Sequence, residues 1–347
     1  MREVRIGFMP LIDCAAIAVA HELGLADRRG IRLVPSREPS WAAIRDKVAF
    51  GRLDAAHMLA PMPVAMTLGL GGPKVGMRAP LTLGLGGNAI TVSEKLHADM
   101  LTADPEAMAG ARALSARALG RVAADRRTAG RPPLRFASVF PFSSHHYELR
   151  SWLANGGVDP DRDVALLIIP PPRMVENLIS GLVDGFCVGE PWNQLAVTRG
   201  LGRIVATKSN IASVAPEKVL GMRRAWCDDN AELAHDLISV LVEAAAWAED
   251  HRDALADLLA AEQWVGVPAA LLLPCLRGRP FLADREPPAE IPGYHSFRSG
   301  PANVPGKAHV AWLAEQMTRS GHVGSTEAGI IETIFMPIEA PAIAEPS

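Results

Sequence analysis

Residues Ile168–Trp192, IIPPPRMVENLISGLVDGFCVGEPW, leave few options for the fold. Pro170, Pro171 and Pro172 close a strand, because proline offers no N–H to a sheet ladder and fixes φ. Met174, Val175, Leu178 and Ile179 then share one face of a helix. Asp184-Gly185 turns the chain into a second apolar run, Phe186-Cys187-Val188, which ends at Gly189-Glu190-Pro191-Trp192. Strand, helix and strand in so short a span make a crossover unit of a parallel sheet. Ligands of such sheets sit outside the carboxyl ends of the strands. Glycine and proline at both ends let bare backbone approach a small ligand closely.

Composition narrows the function more by exclusion. A chain of 347 residues holds two domains of ordinary size, and 49% apolar residues suffice for two cores. A net charge of -3 gives no bulk attraction for nucleic acid. Two tyrosines and 5% aromatic residues are too few for a base- or sugar-stacking platform. Cys14, Cys187, Cys227 and Cys275 form no CxxC pair, so neither a zinc site nor a dithiol motif is indicated, and no cofactor is expected. The chain has no GxSxG elbow, P-loop, HExxH or helix-opening GxGxxG. Nothing pairs a nucleophile with a base, so binding is expected rather than catalysis. Arg5, Pro10 and Asp13 interrupt the apolar pattern of the amino-terminal segment, which therefore does not read as a secretory signal; a cytoplasmic location is expected. Pro61, Pro63, Gly69, Gly71 and Gly72 break up the uncharged run Ala55–Pro73, and no membrane insertion is expected.

Strand and helix patterns alternate through the first part of the chain. Val4–Phe8 and Ile31–Val34 read as strands, Leu53–Met58 as a turn into a third strand, and Ala15–Leu25 as a helix. Ser40 is a candidate N-cap for a second helix ending near Phe50. Val75–Met77 and Leu81–Leu85 read as separate strands, followed by a close-approach glycine loop at Gly84, Gly86 and Gly87. Glu94–Arg127 is helical in pattern, and Leu134–Val139 opens what reads as a second lobe. His145–Asn155 is a helix and Val164–Ile169 a strand. Arg203–Ala206 is expected on the way back to the first lobe, before a long helix over Asn230–His251. Residues 277–308 are expected to wrap the surface, Ala308–Met317 to form a further helix, and the tail after Met336 to fray.

Six segments occur in one order: IGFMPLIDCAAIAVAHELGL, SWAAIRDKVAFGRLDAAHMLAPMP, GNAITVS, SWLANGGVDPDRDV, PPPRMVENLISGLVDGFCVGEPW and APEKVLGMRRAW. In that order they resemble the nitrate/nitrite-type solute-binding proteins of ABC transporters, from Val4 to about Phe335. The resemblance implies a two-lobe α/β fold of the periplasmic-binding-protein type (type II), with an anion held in the cleft. It implies crossings near Ser93 and Trp192, giving lobe I over residues 1–93 and 194–347 and lobe II over residues 94–193. It is greatest to a cytoplasmic nitrate/nitrite sensor branch, whose partner is an RNA-binding antiterminator released on ligand binding. The alternative is the substrate-binding component of a nitrate ABC transporter.

Site residues follow from the same resemblance. Trp41 falls at the family's ligand-facing tryptophan; the residue alone slightly favours packing at its helix start, and the resemblance tips it toward the site. Asn88 stands where relatives carry Gln or Asn; a turn residue is the competing reading. His145 matches a ligand-contacting histidine at a helix start, where free N–H groups favour an anion. Pro171, Val188 and Gly189 correspond to walls of the cleft. Lys218 is the residue that the nitrate branch shares, where the bicarbonate branch is acidic. An anion that stays ionised at neutral pH needs a positive charge once desolvated. Ala215 departs from the histidine that relatives often carry. Asp13, Arg45, Asp54, His57 and Glu190 are further charged or titratable candidates, assigned to structure rather than to ligand.

Overall fold

The computed structural model describes residues 1–109, 115–211, 216–300, 303–324 and 327–338. These divide into two compact units. The first takes in Met1–Leu85, Val214–Trp264 and Ser296–Ser347; the second takes in Gly86–Ser213 and Val265–His295.

The sheet of the first unit has six strands: β1 (Arg2–Phe8), β2 (Ile31–Arg37), β3 (Ala55–Leu59), β4 (Met77–Gly86), β10 (Pro216–Arg223) and β11 (His295–Ser296). Their order is β11-β4-β10-β3-β1-β2. β1 runs parallel to β2 and β3, whereas β10 runs antiparallel to both β3 and β4. Helices Ala15–Glu22 and Ala231–Asp250 pack together, the longer one burying Leu233, Leu237, Leu241 and Ala244 at the four- and three-residue steps of one helical face. The two strands expected at Val75–Met77 and Leu81–Leu85 are one strand, β4. Pro80 lies where the register against β10 slips, between the pairs Arg78/Met222 and Leu81/Leu220. A bulge there accommodates the N–H that proline lacks.

The second unit's sheet joins β7 (Val164–Ile168), β6 (Leu134–Ser138), β8 (Gly185–Gly189), β5 (Asn88–Ser93) and β9 (Gly202–Thr207) in that order. β6 is parallel to both β7 and β8, so the segment between them is a parallel crossover with β6 lying between its strands. β5 enters antiparallel, against β8 on one side and β9 on the other. The core beneath gathers Ile90, Phe136, Leu149, Trp152, Leu153 and Val205.

Several boundaries differ from the sequence expectation. The second unit begins at Gly86 and still includes β8 and β9, where the sequence reading places crossings near Ser93 and Trp192. β9, expected to lead back to the first lobe, instead completes the second unit's sheet against β5. Val265–His295 belongs to the second unit as well, so part of the segment expected to wrap the surface is integral. Its Phe281 backbone exchanges two hydrogen bonds of 2.9 Å with the Gln194 side chain. The glycine run is a close approach, as expected: Gly86 and Gly87 both have φ of 74°, and a Cβ on Gly86 would stand 2.3 Å from the Tyr294 carbonyl oxygen. The Glu94–Arg127 pattern contains two helices, Glu94–Ala103 and Arg117–Thr128, with residues 110–114 outside the described residues. The tail from residue 339 also lies outside them. No helix among the described residues is long and apolar enough to cross a membrane.

Candidate functional site

Polar residues collect in each unit at the edge where its parallel strands end, as open α/β sheets dictate. In the first unit, the chain leaves β1 at Phe8 and reaches Asp13 in a short 3-10 turn, Ile12–Cys14. After β2 it enters the helix Trp41–Ala49, whose N-cap Ser40 accepts from the Ala43 N–H at 3.1 Å. His57 lies within β3, and β10 brings Lys218 opposite Leu59 at the end of β3.

These residues form one buried cluster. The Lys218 ammonium stands 2.8 Å from Asp13 Oδ2 and donates to Glu217 Oε1 at 2.8 Å. It also lies 5.6 Å from the centroid of the Trp41 ring, within cation–π range. The His57 ring sits 5.4 Å from that of Trp41, with Nε2 2.9 Å from Asp13 Oδ1. Lys218, Glu217 and His57 are 0% exposed. Burial pulls the Lys218 ammonium down, but Asp13 and Glu217 outweigh burial and hold it above the usual lysine value. Burial pushes the His57 imidazole below its ordinary value, with Asp13 acting against it, so the ring is neutral at pH 7.

Lys218 is therefore not the lone fixed cation that the sequence suggests. Adjacent strand residues ordinarily face opposite ways. Here the register of β10 against β4 shifts on both sides of Lys218, and Glu217 meets the ammonium of its own neighbour. That bulge is invisible in the one-letter sequence. Ala215 lies outside the described residues.

In the second unit, Asn88 opens β5 opposite Gly189, and Ala89 lies opposite Val188. Val188 and Asn88 are both buried. His145 is the second residue of the helix Ser144–Asn155 and is 0% exposed. Ser143 caps that helix, accepting from the His146 N–H at 3.0 Å while donating to the Phe140 carbonyl at 2.6 Å. Ser143→Ala would remove both bonds in a buried place, and thermal denaturation should show a loss of about 1–2 kcal/mol. An unchanged melting temperature would show that the cap does not hold His145 in place. Pro171 is buried in the 3-10 turn after β7.

Two residues not singled out in the sequence complete this group. Glu148 accepts from Asn88 Nδ2 at 3.2 Å and forms a buried ion pair with Lys208. Glu148 is three residues after His145 and so shares its helix face, a spacing legible in the sequence. Lys208 follows β9 directly, and once β9 is assigned to the first lobe its place at this edge is lost. The structure thus joins Asn88 with Gly189 and with the helix of His145, and joins Trp41 with Lys218. No group of His, Cys, Asp and Glu among the described residues is arranged to hold a metal ion. The four cysteines are free and buried.

The model of the NMT1-like family matches residues 1–261. The nitrate import ATP-binding protein NrtC of Synechocystis is 36% identical over 92% of this chain, which spans 46% of that protein. The nitrate/nitrite binding protein NrtA of Synechococcus elongatus is 31% identical, covering 93% of this chain and 72% of the relative. The bicarbonate transport ATP-binding protein CmpC of the same organism reaches 34% identity over 92% of the chain. The chain spans about half the length of the ATP-binding relatives. Among solved structures, the periplasmic nitrate-binding protein NrtA from Synechocystis superposes with a TM-score of 0.86 at 25% identity, covering 96% of this chain and 86% of that one. The fold is thus the two-lobe α/β fold of solute-binding proteins.

Proposed function

The chain belongs to the NMT1-like family, and from that premise we propose that it binds nitrate or nitrite as the solute-binding part of an ABC-type uptake system. The proposed ligand residues are Trp41, Asn88, His145, Pro171, Val188, Gly189 and Lys218.

The observation that carries this reading is the Trp41 indole. Its Nε1–H is buried and has no acceptor among the described residues. A buried donor left unpaired is costly, and a small oxyanion supplies the acceptor. Lys218 spends two of its three N–H groups on carboxylates and keeps one. These are donors for an anion, with no nucleophile and base arranged for chemistry.

The relatives support transport. They lend no support to a sensor that releases an RNA-binding antiterminator, and the transport reading replaces it here. Bicarbonate is the competing ligand, since relatives named for it match about as well.

Calorimetric titration with nitrate, nitrite and bicarbonate tests the proposal. Saturable heat with nitrate or nitrite and none with bicarbonate is the expected result. Heat with bicarbonate alone would reassign the ligand, and silence with all three would reject the anion reading.

A further inference from the structure

Glu190 directly follows Gly189 and is 1% exposed. Its backbone N–H donates to the Gly87 carbonyl at 2.8 Å, next to Asn88. Its carboxylate has only neutral partners. Oε1 accepts from the Tyr294 hydroxyl at 2.5 Å, and Oε2 accepts from the Gln194 N–H at 3.1 Å. Asn193 and the Cys275 thiol also turn donors toward it. No cation among the described residues pairs with it, in contrast to Glu148, which has Lys208.

We propose that Glu190 is a proton-linked positioning residue of the anion site: its ionised form, buried without a cation beside Gly189, opposes an anion, and its protonated form admits one. This rests on the reading above, in which Val188 and Gly189 wall the ligand. Two like charges in a poorly solvated place repel strongly, so anion binding favours a proton on Glu190. By linkage, loss of that proton weakens the anion by the same factor.

The network supports a proton equilibrium in the ordinary range. Burial raises the Glu190 carboxyl to about 7, while the bonds from Tyr294 and Gln194 hold it from going higher. Other titratable groups face the same place. Burial holds the Tyr294 hydroxyl and the Cys275 thiol well above their usual values, so both stay neutral. Cys187 acts on Tyr294, and the His295 ring lies where a side chain on Gly87 would be. Histidine titration is separable, because only Glu190 is changed in the variant below.

Glu190→Gln is a near-isosteric stand-in for the protonated form, keeping an acceptor for Tyr294. The test is nitrate affinity from about pH 6 to about pH 9 for both proteins, in which one linked proton weakens binding by at most about tenfold per pH unit. The parent protein is expected to weaken above about pH 7, and the variant to bind with a nearly flat profile. A flat parent profile, or an equal slope in the variant, overturns the proposal. If the variant does not fold, parent titrations at about pH 8 in two buffers of different ionisation enthalpy decide it. Binding heat that tracks buffer enthalpy shows proton uptake, and identical heats refute it. Binding of no nitrate at any pH overturns the parent reading and this inference with it.

Discussion

Lys218→Met is expected to abolish nitrate binding and to cost about 3–5 kcal/mol of stability, the usual penalty for breaking a buried ion pair from one side. The ammonium pairs with both Asp13 and Glu217, and all three are buried. Without it, two carboxylates remain desolvated within reach of one another. They would escape by taking up protons, which raises their values in the folded protein. A raised acid stabilises least at high pH, so the deficit should shrink as pH falls through the carboxylate range. Asp13→Asn on top of Lys218→Met should restore part of the stability without restoring binding. Urea denaturation followed by tryptophan fluorescence measures both. A cost below about 1 kcal/mol would mean that the ion triad is solvated in solution, as surface pairs are. Sequence alone makes Lys218→Glu a change of binding only. The triad makes it a change of stability too, because a third acid would join the two already there.

Glu148→Ala is expected to be comparably severe, at about 3–5 kcal/mol, through the same mechanism in the second unit. Glu148 is 1% exposed and holds both Lys208 and the Asn88 amide. Its loss takes the carboxylate partner from a buried ammonium and an acceptor from the Asn88 amide. Adding Lys208→Met should recover at least half of the stability, since an apolar side chain needs no counter-ion. Nitrate affinity should stay weak in the double variant, because Asn88 still lacks its Glu148 acceptor. A double-mutant cycle monitored by denaturation checks the coupling. Strictly additive costs would show that Glu148 and Lys208 act independently and that their burial is not what couples them.

The legible and illegible parts of this chain separate along a physical line. Strands and caps follow from local rules, so β1, β2 and the Ser40 cap can be read directly from residue type and spacing. The helix start at His145 is legible for the same reason, whereas its Ser143 cap appears only in the structure. The crossover between β7 and β8 followed from its prolines and glycines, although nothing local said that β6 would lie between its strands. What sequence concealed were partners set by long-range register. Glu217 was hidden by the strand alternation that a bulge breaks. Lys208 was hidden because β9 pairs with β5, more than a hundred residues earlier. Val75–Met77 and Leu81–Leu85 look like separate strands in sequence, whereas the pairing of β4 and β10 absorbs Pro80 in a register shift.

The arrangement of chain segments also sets an order on how the molecule is completed. The five strands of the second unit lie within residues 88–207, one continuous stretch. The first unit's sheet needs β10, which ends at Arg223, before β3 and β4 gain the strand that lies between them. During synthesis from the amino terminus, β1 to β4 are made first yet must wait for a strand encoded after the whole sheet of the other unit. Closing so long a loop costs more chain entropy than pairing near neighbours. The later-encoded sheet can therefore close first, and the ribosome holds an unfinished first unit while the inserted one takes shape.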